Sequence, residues 1–201
     1  MNKRLALLIT VLLFGLGVVL ASCAGVQVKP TETNFKDPVI RLESFMVPQY
    51  DGYWYYGAKT KPDHGKAGNH GAPLPMSFLF NIENPNPYPI LLEGYMFTVA
   101  FDQEFSLITV NNQDSYWIPA GKTDQVRATT LITTRSALMS LLVTAGFKLK
   151  ERGWSPWDAL EKWWKGMPEA TVSVLIDEGA FTFSADGVTK VVAYKALIPT
   201  D

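Results

Sequence analysis

The sequence predicts a mainly β chain, an antiparallel sandwich of about seven to nine short strands with a one- or two-helix segment between late strands. Three observations carry this. Short runs alternate apolar and polar side chains, the period of a half-buried strand. Turn residues punctuate those runs at roughly the 8–12-residue spacing of sandwiches. The alternation gives way to a helical period in one place only, across residues 134–167.

Val39 to Val47 reads as the first strand, with Ile40, Leu42 and Met46 on one face and Arg41 and Glu43 on the other. In the second, Met76, Phe78, Phe80 and Ile82 oppose Ser77, Asn81 and Glu83. It runs straight into Asn84-Pro85-Asn86-Pro87-Tyr88-Pro89. Each proline fixes φ near −65° and removes a backbone donor, so a ladder cannot continue. Asn84 and Asn86 precede prolines, which biases them to extended or turn geometry, and their side chains can bond nearby backbone groups. Asn84, Pro85, Asn86 and Pro87 are therefore expected to form a rigid structural corner.

Beyond it, Tyr95, Phe97, Val99 and Phe101 alternate with Met96, Thr98, Ala100 and Asp102. A turn at Asp102 to Glu104 leads to a strand through Val110, and residues 111–114 turn again. Ser115 to Ile118 is short and ends at Pro119-Ala120-Gly121. Thr123 to Thr133 points Val126, Ala128, Thr130 and Ile132 inward, the pattern of a sheet with one wet face. Thr134 is then expected to cap a helix to about Ala145, with Leu138, Leu141 and Leu142 on its core side. Ser155-Pro156-Trp157-Asp158 starts another helix, because Ser at the N-cap, Pro next and an acid two further on satisfy orphan amides and the helix dipole. Trp157, Leu160 and Trp164 share a face; Trp163 falls off it and is expected to be the exposed member. The surrounding Lys148, Lys150, Arg152, Lys162 and Lys165 leave two readings open, contact with a membrane surface or closure of the core by the tryptophans. Ala170 to Ile176 alternates, Glu178-Gly179 reads as a turn, Asp186-Gly187 as a hairpin turn, and Val188 to Ile198 as the last strand.

A strand ending in Asn-Pro-Asn-Pro, an apolar strand from Tyr95 to Phe101, then Ile118-Pro119-Ala120-Gly121 and a further strand resembles the type 2 late embryogenesis abundant family, also called the water stress and hypersensitive response domain. The resemblance covers roughly Pro38 to Pro199 and is strongest from Phe78 to Ile132. It implies a sandwich of immunoglobulin or fibronectin type III kind with a helix between late strands, and a role in desiccation stress. It carries no catalytic residue to this chain. Residues 50–75 depart from the family pattern as an insertion. Its aromatic start includes Tyr53, Trp54 and Tyr55, which either stack on a sugar or protein partner or cover one open end of the sandwich.

The N-terminus carries Lys3 and Arg4, then an apolar run from Leu5 to Leu20, shorter than a typical spanning helix and matching a secretory signal. It ends in Leu20-Ala21-Ser22-Cys23, which resembles a bacterial lipobox. That resemblance implies removal of residues 1–22, lipidation of Cys23 and anchoring by two or more acyl chains, palmitate among them. Ala24 after the cysteine favours the outer membrane, facing the periplasm, by the same resemblance. Residues 23–37 are expected to be a tether and 38–201 the domain.

Of the 201 residues 47% are apolar and 18% charged, which excludes an intrinsically disordered chain. The net charge of −1 gives no basic excess for nucleic acid. Cys23 is the only cysteine, so the chain has no internal disulfide. His64 and His70, with Asp63, are too loosely framed by glycines to argue for a metal site. No phosphate loop or Gly-x-Ser-x-Gly elbow occurs, and neither an enzymatic activity nor a cofactor is expected. Two non-enzymatic functions are expected instead. One is a stress-type envelope lipoprotein that shields proteins or membranes. The other is a lipid-anchored module docking a protein or glycan through Tyr53, Trp54, Tyr55, Trp157 or Trp163.

Overall fold

The structure, a computed structural model, describes residues 28–54 and 71–199. Eight strands form two antiparallel sheets: β1 (Val39–Met46), β2 (Pro73–Glu83), β3 (Ile90–Phe101), β4 (Phe105–Asn112), β5 (Tyr116–Ile118), β6 (Thr123–Thr133), β7 (Val174–Ala185) and β8 (Val188–Ile198). One sheet has the order β1-β2-β6. The other has the order β4-β3-β7-β8, with β5 also paired to β3. Between β6 and β7 lie α1 (Thr134–Thr144), α2 (Gly146–Glu151) and α3 (Pro156–Gly166). This is a β-sandwich with a helical insertion between late strands.

The alternation read from β2, β3 and β6 holds. Met76, Phe78, Phe80 and Ile82 meet Tyr95, Phe97, Val99 and Phe101 across the sandwich with almost no solvent exposure. The centre is aromatic. Phe78 and Phe97 meet edge to face at 5.3 Å between centroids, and Phe80 and Phe181 at 5.4 Å, the arrangement ring quadrupoles favour. At one seam the edge strands β4 and β6 approach each other, and α1 lies over both, which covers two otherwise open edges.

Four local readings need correction. In β1 the register slips between Leu42 and Ser44, leaving Glu43 as the extra residue of a bulge. The phase flips there, so Phe45 packs on Phe78 and Met46, expected inward, faces out. Ser77, expected on the wet face, is buried and accepts a bond from the Arg127 guanidinium at 2.9 Å. Glu178-Gly179 is no turn. β7 is paired on both sides and passes through, absorbing the extra length with Glu178 at φ 53°. A Cβ on Gly179 would come within 2.4 Å of the Tyr194 carbonyl, so only glycine fits. Finally, Thr133 rather than Thr134 caps α1, accepting from the Ser136 N–H. Thr134 is buried; its hydroxyl donates to Trp54 O and accepts from Ala72 N–H.

The hairpin turns follow the reading. Asp186 and Gly187, the two-residue loop between β7 and β8, both have positive φ, and so do Asp102 and Gln103 in the three-residue loop between β3 and β4.

Tyr95 gives the sandwich a measurable pH signature. Burial pushes its phenol up to about 12. A raised phenol stabilises the fold fully below the unfolded value near 10, and that contribution is lost as pH climbs from 10 to 12. Urea titrations should show stability falling by about 2–3 kcal/mol over that window from this group. Tyr95→Phe should flatten the fall, leaving the smaller contributions of Tyr53, Tyr88 and Tyr194, which burial also raises.

Candidate functional site

The two ends of the sandwich differ in chemistry. β2 runs from the helical end at Pro73 to the proline corner at Glu83, and β3 runs back from Ile90 at the corner to Phe101 at the helices. Ten strand steps of about 3.4 Å separate the ends by roughly 34 Å.

At the corner, Asn84 and Asn86 are buried, and their amides are fully engaged. The Asn84 side-chain NH₂ donates to the carbonyls of Tyr88 (2.9 Å), Ile118 (3.2 Å) and Pro119 (3.1 Å). Its Oδ1 accepts from the N–H and the Nδ2 of Asn86. Asn86 then holds Lys36, accepting from its N–H at 2.8 Å and donating to its carbonyl at 3.0 Å. The expected corner is thus present, and it also clamps the chain ahead of β1.

That clamp shortens the expected tether. Phe35 is buried against Tyr88. Asn34 accepts from the Tyr88 hydroxyl at 3.0 Å and donates to Lys29 O at 2.9 Å. Lys190 donates to Phe35 O and pairs with Asp37. Residues 29–37 are therefore folded onto the domain. Beside them Val28, Lys29, Pro87, Tyr88, Trp117 and Asp186 line a groove of about 490 Å³.

At the other end, α3 starts as expected, with Ser155 Oγ accepting from Asp158 N–H. The tryptophan assignment is corrected. Trp163, expected to be exposed, is wholly buried between Phe101 and Phe105, and its indole N–H donates to Asp102 Oδ2 at 2.7 Å. Trp164 is also buried and donates to Ala72 O. Trp157, assigned to the core face, is 45% exposed. The reason is that α3 sits in a notch and is covered on two sides, so its buried stripe is wider than one coiled-coil seam and is rotated towards Trp163. Tyr53 and Trp54 reach this end: the Tyr53 hydroxyl donates to Trp157 O at 3.4 Å, and Trp54 packs on the core. Tyr55 and Cys23 lie outside the described residues, as do His64 and His70.

An unforeseen surface lies on α1 and α2. Met139, Leu142 and Val143 fall at i, i+3 and i+4 and are neighbours on the outer face of α1. Val143 is 81% exposed; Phe147, on α2, is 63% exposed. Leu142 was expected in the core, but the apolar side chains that α1 buries are Ala137, Leu138 and Leu141, and Ser140 beside them donates to Leu107 O of β4. The signal was available: the apolar residues of α1, Ala137, Leu138, Met139, Leu141, Leu142 and Val143, spread over more than one face, wider than the stripe of an ordinary surface helix. No acid occurs between Asp124 and Glu151, while Arg127, Arg135, Lys148 and Lys150 do.

Among the described residues no group of three or more His, Cys, Asp and Glu side chains is arranged to hold a metal. Likewise, no described helix is long and apolar enough to cross a membrane. Among the described residues, every displaced titration moves away from neutrality. Burial raises four tyrosines, and Glu161 raises Lys165. The Glu178 N–H and then Lys195 lower Asp177. Among the described residues these displaced groups are therefore not tuned towards proton transfer near pH 7.

No family model matches the chain, and no curated protein matches its sequence. Solved structures similar in outline include a protein from Archaeoglobus fulgidus, 7% identical, TM-score 0.42, covering 81% of this chain and 92% of its own. A Bordetella pertussis protein described as ApaA is 10% identical, TM-score 0.40, with 85% and 94% covered.

The tryptophan placement has a direct test. Trp163→Ala should cost about 3–5 kcal/mol in chemical denaturation, the range for deleting a buried aromatic. Trp157→Ala should stay within about 1 kcal/mol.

Proposed function

We propose that this chain is a lipid-anchored binding module of the bacterial cell envelope, non-enzymatic, whose helical end docks a protein partner. The observation that carries the reading is the exposed apolar row Met139, Leu142, Val143 and Phe147 on a helical element fixed to the sandwich. A row of this kind on a folded surface marks an interaction site. Lys148 and Lys150, on α2 with Phe147, bring positive charge to the row, which suits a partner with an apolar ridge edged by carboxylates. Trp157 and Tyr53 extend the surface on α3.

Anchoring rests on the lipobox resemblance at Cys23, with the outer membrane, periplasmic side, as the location. The finer fold is of fibronectin type III kind and of the type 2 late embryogenesis abundant pattern. The strand order β1-β2-β6 against β4-β3-β7-β8 and the engaged Asn-Pro-Asn corner support this. The desiccation role implied by that resemblance is the competing function. It calls for diffuse client contact, whereas the apolar row is local.

A photocrosslinking residue at Val143 in the anchored chain should give one discrete protein adduct, and one at Val191, also exposed but on β8, should not. Leu142→Asp with Phe147→Asp should abolish the adduct while shifting stability by no more than about 0.5 kcal/mol each. Cys23→Ala should release the chain from the membrane fraction. Equal adducts at both positions, or protection of a dried enzyme that survives the double substitution, would contradict the docking reading.

A further inference from the structure

The clamp at the corner fixes where a lipid anchor can be, and this placement rests on the lipidation of Cys23 proposed above. The described chain begins at Val28, in the wall of the 490 Å³ groove. Whatever path the intervening residues take, five residues at 3.3–3.6 Å each reach at most about 18 Å. The corner end must therefore lie within that distance of the bilayer, whereas the helical end, roughly 34 Å further along the strands, is under no such limit.

The corner end carries a side chain suited to that position. Trp117, 63% exposed, is the most exposed of the six tryptophans. The two fully buried ones spend their indole N–H on protein acceptors. Trp117 instead projects from β5, paired with Leu91 of β3, over the groove rim. Val28, Pro87 and Pro89 beside it are exposed as well. An amphipathic ring on an apolar rim is what the headgroup boundary of a bilayer accommodates best. Charge does not select the occupant here. Lys29 and Asp186 both line the groove, and Lys190 is paired to Asp37. We infer that the groove end rests on the bilayer interface with Trp117 inserted among the headgroups, so that the domain stands upright and presents α1 and α2 away from its own membrane. The contact is apolar and indifferent to lipid charge, which separates it from a basic patch reading anionic lipid.

The test uses the full chain, acylated in cells, purified and reconstituted into phosphatidylcholine vesicles with or without phosphatidylglycerol. Acylation leaves the Cys23 thiol blocked at the amino terminus, so a single added cysteine can be labelled. Asp186→Cys marks the groove rim and Val143→Cys the helical face. Each carries an environment-sensitive fluorophore, and a nitroxide lipid with its spin label at headgroup depth is the quencher. Quenching at 186 should exceed that at 143 by about threefold or more, equally in both vesicle types, and Trp117→Ser should reduce the excess by at least half. Greater quenching at 143 than at 186, or quenching at 186 that needs phosphatidylglycerol, would overturn the orientation. An excess unchanged by Trp117→Ser would overturn the role of Trp117. The mass of the purified chain reads the premise separately. A chain without acyl groups removes the anchor, and the orientation with it, for a reason distinct from the quenching result.

Discussion

Two buried amide side chains hold this structure's end together. Asn84 and Asn86 sit where β2 ends, and the proline after each removes a backbone donor a sheet would use. The carbonyls of Tyr88, Ile118 and Pro119 converge there, and buried acceptors without donors are costly. Asparagine supplies what is missing. The Asn84 NH₂ serves several carbonyls while its oxygen accepts from Asn86, two residues on, and no apolar or acidic side chain does both. The Asn84 backbone N–H completes the knot on Lys122 O, and the Asn86 carbonyl accepts from Gly121 N–H. Four separate segments meet in this one arrangement: the end of β2, the start of β3, the β5–β6 turn and the chain before β1.

The rest of the molecule follows from having one end closed by polar bonds. The other end must be closed by bulk, and the helices do it. Trp163 fills the space between Phe101 and Phe105, and its indole is held by Asp102, whose carboxylate also receives Lys162 at 2.7 Å. Arg152 lies over the rings of both Phe105 and Trp154 and pairs with Glu104, adding cation–π contact at the rim of the same plug. A plug built this way spends the inner face of α1 and leaves its outer face without cover. The described chain starts at the end closed by polar bonds, where Trp117 stands exposed on the groove rim, and it displays the apolar row of α1 and α2 at the opposite end. This polarity underlies both the docking proposal and the orientation proposed for the domain on its membrane.

The strands were legible because period two is written into β2, β3 and β6, each of which has one face in the core. The departures came where tertiary pairing overrides local pattern. A bulge at Glu43 reverses the phase of β1, and no local composition announces it. Glu178-Gly179 has turn chemistry, yet β3 and β8 hold β7 straight through it. Trp163 fell off the simplest helical stripe, but the notch that receives α3 is wider than a stripe. Its Asp102 partner is 61 residues distant in sequence and could not be paired to it by spacing. The corner was legible as a rigid turn, because prolines act locally. Its grip on Lys36, 50 residues away, was not, and so residues 29–37 read as tether.

The central claim is that Asn86 locks the N-terminal segment to the corner and so sets how close the domain would sit to the proposed anchor. Hydrogen exchange at the Lys36 amide in Asn86→Ala, against the parent chain, tests it most directly. Two neutral hydrogen bonds at about 1 kcal/mol each correspond to a loss of protection of about thirtyfold at Lys36, beyond any change in the amides of β2 and β3. Protection at Lys36 that is unchanged, or that falls only in step with β2 and β3, would contradict the account.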